Sequence, residues 1–118
     1  MGSNSLKSQM VEGVVLFEIA GYFAAEAGRQ LDEEIDGQLR QGKTVYVLDF
    51  TQCSIVSSPG VAALMEICLK VTEDFKGKVV ICGLDQLKTN VFTMAGIVSV
   101  APPQPTRKEA IEAAKGRD

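Results

Sequence analysis

Residues 47–64 read VLDFTQCSIVSSPGVAAL and lead from a buried strand through a short polar loop into a helix. The strand is predicted over residues 44–50, a nearly continuous β-branched and aromatic run that is typical of a central strand buried on both faces. Pro59 suits the first helical position, because its fixed φ is helical and its missing N–H would have no partner there. We therefore predict a helix from Pro59 to about Asp74, with Ser58 as its N-cap residue.

On the N-terminal side of this stretch, the pattern predicts a β-hairpin followed by a helix. Apolar residues 10–11 and 14–19 flank a short turn that contains Gly13, which indicates two antiparallel strands. After the turn at Gly21, the apolar residues recur four positions apart, which is typical of an amphipathic helix: Phe23, Ala27, Leu31, Ile35 and Leu39. Gly42 ends this helix.

On the C-terminal side, strands and helices alternate. Residues 78–82 are predicted to form a strand, Asp85 to cap a helix that ends at Gly96, and Ile97–Val100 to form a short strand. The proline-rich segment 101–105 is predicted to be a linker. A capping box from Thr106 to Glu109 then begins a last helix over residues 107–115.

This order of elements predicts an α/β fold with a mixed β-sheet: an N-terminal hairpin, central parallel strands and about four packed helices. A chain of 118 residues with 46% apolar composition fits one domain. We expect that domain to cover residues 9–118. The small and polar residues 1–8 are expected to be a disordered or added segment outside it.

Composition excludes several classes of function. The net charge of −3 provides no basic patch for nucleic acid, and no apolar run approaches the roughly 20 residues of a membrane span. There is no histidine, so a histidine-based triad or a typical zinc site lacks its parts. Cys53, Cys68 and Cys82 lie among apolar residues and are expected to be reduced core residues of a cytoplasmic protein. We expect no catalytic residue, no metal and no cofactor.

The quoted stretch resembles the signature of STAS domains, the family of bacterial anti-sigma factor antagonists. Asp49, Ser58, Gly60 and Leu64 match that signature. Ser58 aligns with the serine that is phosphorylated in the family, and Gly60 aligns with the glycine that permits close approach of the backbone. Three positions depart from the family pattern, and they are Ser57 in place of aspartate, Pro59 in place of serine or threonine, and Ala24 in place of an acidic residue.

The resemblance implies a STAS-like fold over nearly the whole chain and a regulatory, non-catalytic function. The domain would bind a partner serine kinase that also acts as an anti-sigma factor. Phosphorylation of Ser58 would add roughly −1.5 to −2 charge and would release this partner. A PP2C-type phosphatase is a further partner that the resemblance implies. The expected contact residues are Tyr22, Phe23, Ser57, Ser58, Pro59 and Gly60.

Other interpretations stay open at this point. Ser58 could cap the helix and nothing more, with Phe23 in the core and Tyr22 covering the turn. The departures at Ser57, Pro59 and Ala24 favour a STAS-fold scaffold, or a subunit of a transporter or stress complex, without phosphorylation. A small-molecule or nucleotide-binding module, or a serine nucleophile, is disfavoured because the chain lacks a glycine-rich loop followed by lysine and a glycine before the serine. Met65 and Met94 are expected to fill the core.

Overall fold

A computed structural model describes residues 4–116 of the chain. It contains six strands and five helices, one of them a single turn. The strands are β1 (Asn4–Val11), β2 (Val14–Phe23), β3 (Val45–Asp49), β4 (Cys53–Val56), β5 (Lys78–Cys82) and β6 (Pro103–Gln104). The helices are α1 (Ala25–Arg40), α2 (Ser58–Leu69), α3 (Gln86–Met94), α4 (Ile97–Val100) and α5 (Arg107–Lys115).

The strands form one mixed sheet in the order β1-β2-β3-β5-β6. β1 and β2 are antiparallel, and all the other pairs are parallel. β4 continues the sheet beyond the end of β3 by pairing in parallel with the last residues of β2. The predicted fold class is confirmed, including the N-terminal hairpin, the central parallel strands and the four longer helices.

The sheet separates two unequal cores. On one face, α1 to α4 bury large side chains, among them Leu31, Ile35, Leu64, Ile67 and Phe92. On the other face, α5 covers a smaller set of sheet residues with Ala110, Ile111 and Ala114. The expected helix pattern of α1 is confirmed from Ala27 to Leu39, whereas Phe23 belongs to β2.

The hairpin is longer than the sequence predicted. β1 begins at Asn4, so residues 4–8 belong to the sheet and not to a segment outside the domain, while residues 1–3 lie outside the described part. β1 is an edge strand with mostly exposed side chains, and it therefore lacks the apolar alternation that reveals a strand. The predicted turn at Gly21 is instead an irregularity inside β2, where Gly21 has a φ of 80°.

Three other predictions of local structure are corrected. Ile97–Val100 is a helical turn, because Gly96 in the left-handed conformation restarts a helix after α3. The loop after β3 contains β4, and the expected linker contains the two residues of β6. The predicted helix from Pro59 to Asp74 consists of α2 and a following π-helical turn, Lys70–Asp74. No described helix has the length and hydropathy needed to span a membrane.

Candidate partner-docking site

The start of α2 is capped by Ser57 and not by Ser58. Ser57 has extended backbone angles, and its Oγ accepts a hydrogen bond from the Gly60 amide at 3.3 Å. Ser58 is the first residue of the helix and Pro59 the second. The predicted N-cap was wrong by one residue, since proline is tolerated throughout the first turn and two adjacent serines are equally good caps.

This arrangement leaves the hydroxyl of Ser58 free of a capping role. Ser58 and Pro59 are both exposed, and Ser57 is partly exposed. The first turn of α2 carries no acidic side chain, and backbone amides at a helix N-terminus have a partial positive charge. A phosphate on Ser58 is therefore compatible with the electrostatics of its own helix.

Gly60 and Phe23 have packing roles beneath this surface. A Cβ atom on Gly60 would lie 2.2 Å from the carbonyl oxygen of Phe23, so only glycine allows α2 to approach the end of β2 this closely. The amide of Ser57 also donates to that carbonyl oxygen at 3.0 Å. Phe23 is buried and packs edge-to-face on Phe50. The structure thus places Gly60 and Phe23 under the expected contact surface and not on it.

Tyr22 is the aromatic residue that remains accessible. Its side chain is 41% exposed, and its partner across β2 and β4 is Ile55, which is 49% exposed. Sequence reasoning missed Ile55, because the short strand β4 was taken for a polar loop. Tyr22 and Ile55 are neighbouring exposed apolar side chains on the strands that lead to α1 and α2.

An open groove of about 730 Å³ runs from Ser57 and Ser58 between α2 and α3. Its apolar lining comes from the end of β4 and from both helices: Val56, Val61, Ala62, Met65, Val91, Met94 and Ala95. Met94 is 87% exposed, so its expected core role is wrong, while Met65 packs against the core from the groove. No sequence motif marked this groove, because its two walls are far apart in the chain.

Asp49, the aspartate of the signature, faces away from this groove. Its carboxylate accepts hydrogen bonds from Thr51, at 2.9 Å from the amide and 2.6 Å from the hydroxyl, and from Arg107 Nε at 2.9 Å. Burial raises the pKa of Asp49, but the bonds from Thr51 and Arg107 outweigh burial and hold that pKa below its ordinary value. Asp49 therefore fixes the loop after β3 to α5, and sequence reasoning missed its partner Arg107.

The remaining reactive groups are structural. Cys53, Cys68 and Cys82 are buried free thiols, as predicted. Burial raises the pKa of Cys68 and of Cys82 to about 12, so both thiols are protonated near neutral pH. Among residues 4–116, no group of three or more His, Cys, Asp or Glu side chains is arranged to hold a metal ion.

The sheet order, the signature stretch and the α2 start agree with a family comparison, in which the STAS domain profile matches residues 5–110. The chain belongs to the STAS domain family. In sequence it is 26% identical over 110 residues to BtrV of Bordetella bronchiseptica, which is assigned as an anti-sigma factor antagonist. That alignment covers 93% of this chain and 94% of BtrV.

Solved structures of anti-sigma factor antagonists share the fold. An anti-sigma factor antagonist from Mycobacterium paratuberculosis superimposes with a TM-score of 0.84 at 16% identity, covering 97% of this chain and 96% of that one. The anti-sigma factor antagonist SpoIIAA in its unphosphorylated form has a TM-score of 0.75 at 21% identity, covering 96% of this chain and 100% of that one. SpoIIAA, a Bacillus cell fate determinant, is also known in a phosphorylated form.

Proposed function

We propose that this STAS protein is a non-catalytic anti-sigma factor antagonist of the bacterial cytoplasm. It docks a serine kinase that also acts as an anti-sigma factor, and phosphorylation of Ser58 breaks that complex. The observation that carries the proposal is the exposed Ser58 at the positive end of α2, directly beside an open apolar groove.

The docking surface consists of Tyr22, Ser57, Ser58 and Pro59 together with the groove. Exposed aromatic and apolar side chains next to a concave surface supply the anchors that protein interfaces use. Tyr22, Ile55 and Met94 are the most accessible apolar side chains of this region. Phe23 and Gly60 support the surface from below and determine where α2 begins.

Phosphorylation would act by charge. A phosphate on Ser58 is stabilised by the α2 amides within this protein, but in the complex it would be placed against the partner surface. Removing roughly −1.5 to −2 charges from water at an apolar contact is unfavourable, so the complex would dissociate. A PP2C-type phosphatase that removes the phosphate would restore binding. The existence of SpoIIAA in both states supports such a cycle in this family.

Calorimetry with purified candidate anti-sigma kinases tests this proposal. Wild type and Ser58→Ala are expected to bind, whereas Ser58→Glu is expected to lose about tenfold or more in affinity. Ser8→Glu is the matched control, because it adds the same charge at an exposed serine of β1 outside the docking surface, and it is expected to bind like wild type. After incubation with kinase and ATP, intact mass is expected to show one added phosphate on wild type and none on Ser58→Ala. A lack of binding by both wild type and Ser58→Ala would overturn the proposal.

The second candidate is a STAS scaffold that docks partners without phosphorylation. It is favoured by the chemistry around Ser58, where the first turn of α2 has no carboxylate to orient the hydroxyl and Pro59 removes a backbone donor. The same calorimetry and mass measurement distinguish the two. A stable complex with no phosphate on Ser58 after incubation with ATP would select the scaffold.

A further inference from the structure

The second face of the sheet is covered by one short helix with small side chains. α5 places Ala110, Ile111 and Ala114 over an apolar strip of the sheet, formed by Val14, Leu16, Val47, Val80 and Cys82. The opposite face buries leucine, isoleucine and phenylalanine side chains from several helices. Because burial of apolar area dominates the stability of packing, α5 is held to the sheet by a weaker apolar contact than α1 and α2, which bury several leucine and isoleucine side chains.

Charged contacts compensate at both ends of α5. At its first residue, Arg107 binds the carboxylates of Asp49 and Glu18. At its last turn, Lys115 pairs with Glu12 in the hairpin turn. Lys78 Nζ also donates to the carbonyl oxygens of Ala113 and Gly116, at 3.2 and 2.9 Å.

The connection to α5 permits it to move as a unit. After the buried Ala101, the segment before it is largely exposed and contains three prolines. It pairs with the sheet through the two residues of β6 and through the Pro102 carbonyl oxygen, which accepts from the Ile81 amide. Detachment of α5 would break no backbone hydrogen bond within the sheet that β1 to β5 form. Segments with few buried apolar contacts and exposed connections open at lower free energy than the whole protein.

We propose that α5 is a strap, held by ion pairs, which lifts off within the otherwise folded protein and uncovers the apolar strip and Cys82. This inference concerns the face opposite α1–α4 and does not depend on the role of Ser58. The ion pairs at Arg107 and Lys115 set how often the strap opens. Arg107, Glu18 and Lys115 are partly exposed, so salt in the solvent weakens their attraction.

The cysteines provide matched reporters of this motion. Cys82 is fully buried beneath α5, whereas Cys68 is fully buried on the other face, within α2. A thiol reagent reaches Cys82 when the strap opens, but reaches Cys68 only when the main core opens. Labelling of the intact chain with an excess of iodoacetamide, followed by peptide mass spectrometry, measures both rates in one sample.

In wild type, Cys82 is expected to be labelled about tenfold or more faster than Cys68. Arg107→Gln is expected to raise the Cys82 rate about tenfold, because it removes an interaction that only the closed state makes. The Cys68 rate is expected to rise by no more than the same factor. The control is Arg29→Gln, since Arg29 also bridges two glutamates, Glu26 and Glu33, but on α1. It is expected to change neither rate.

Two further measurements keep the test decisive even where Arg107→Gln unfolds the chain. One is Lys115→Gln, which loosens the other end of the strap, and the other is wild type in 1 M NaCl. Both are expected to raise the Cys82 rate, with the Cys82 rate still above the Cys68 rate. Equal rates at Cys82 and Cys68 in wild type would overturn the proposal. A Cys82 rate that responds to none of Arg107→Gln, Lys115→Gln and salt would also overturn it.

Discussion

Two adjacent serines at the start of α2 have different physical roles. Ser57 Oγ satisfies the amide of Gly60, whereas Ser58 is exposed and begins the helix. Loss of an N-cap hydroxyl typically costs about 1 kcal/mol, while an exposed substitution in a first turn stays within about 0.5 kcal/mol. A site for modification therefore lies next to a residue needed for structure.

Ser57→Ala is expected to lower the free energy of unfolding by about 1 kcal/mol, and Ser58→Ala by less than about 0.5 kcal/mol. Urea titration followed by circular dichroism measures both. A larger loss for Ser58→Ala than for Ser57→Ala would show that the cap lies at Ser58 in solution.

Asp49 connects the loop after β3 to α5 through its charge. Asp49→Asn keeps an oxygen for Thr51 but removes the ion pair with Arg107, so it is expected to cost about 1–3 kcal/mol at pH 7. Since the folded-state pKa of Asp49 is lowered, the stability from its charge is fully present above the unfolded-state pKa of about 3.9. That stability is lost as the pH falls through the folded-state pKa.

The difference in unfolding free energy between wild type and Asp49→Asn is therefore expected to be constant from pH 7 to about pH 5 and to shrink below about pH 4. Urea titrations at a series of pH values measure this difference. Thr89→Val, which removes a local hydroxyl on α3 and no charge, serves as the control with a difference that is independent of pH. A difference for Asp49→Asn that grows toward low pH would contradict the assignment.

At the scale of elements, the sequence was informative where burial was strong and uninformative at edges. The apolar periodicity of α1 and the apolar run of β5 reflect burial, and the capping box of α5 reflects a local hydrogen bond. All three elements were predicted. β1, β4 and β6 lie at the margins of the sheet, where exposed side chains carry no periodic signal. The groove depends on how α2 and α3 meet, which local sequence does not encode.

Contact between α1 and α2 depends on a glycine that sequence reasoning did not single out. A Cβ atom on Gly28 would lie 2.6 Å from the Cβ of Ala63, so the two helices touch at this point. Gly28→Ala is expected to destabilise the protein by about 1–3 kcal/mol, although alanine favours helix formation. Gly37→Ala is the control, because its new methyl group has room, and it is expected to stabilise by up to about 1 kcal/mol.

Ala63→Gly in the Gly28→Ala background removes the clash. The combined cost is then expected to be smaller than the sum of the two single costs by about 1 kcal/mol or more, measured by urea titration of all four proteins in a double-mutant cycle. Additive costs would mean that the helices separate at this point without strain.

At the scale of the whole molecule, three aromatic rings join the parts that form the docking surface. Phe50, in the loop after β3, packs edge-to-face on Phe23 of β2 and on Phe92 of α3, with ring centroids 5.5 Å apart in both pairs. All three side chains are buried. Phe50 thus fixes three parts of the molecule to one another. They are the end of β2, the loop that leads to β4 and α2, and α3, which forms the second wall of the groove.

Phe50→Ala is therefore expected to cost about 3–5 kcal/mol, a large part of the 5–15 kcal/mol typical of a domain. Guanidinium titration followed by circular dichroism measures this loss of stability. Phe75→Ala is the matched control, because Phe75 is 46% exposed. The free energy of unfolding of Phe75→Ala is expected to fall by less than about 1 kcal/mol. Since the ring supports both walls of the groove, partner affinity of folded Phe50→Ala is expected to fall while that of Phe75→Ala is kept. A loss below about 1 kcal/mol for Phe50→Ala would mean that the docking surface is positioned without the aromatic contacts.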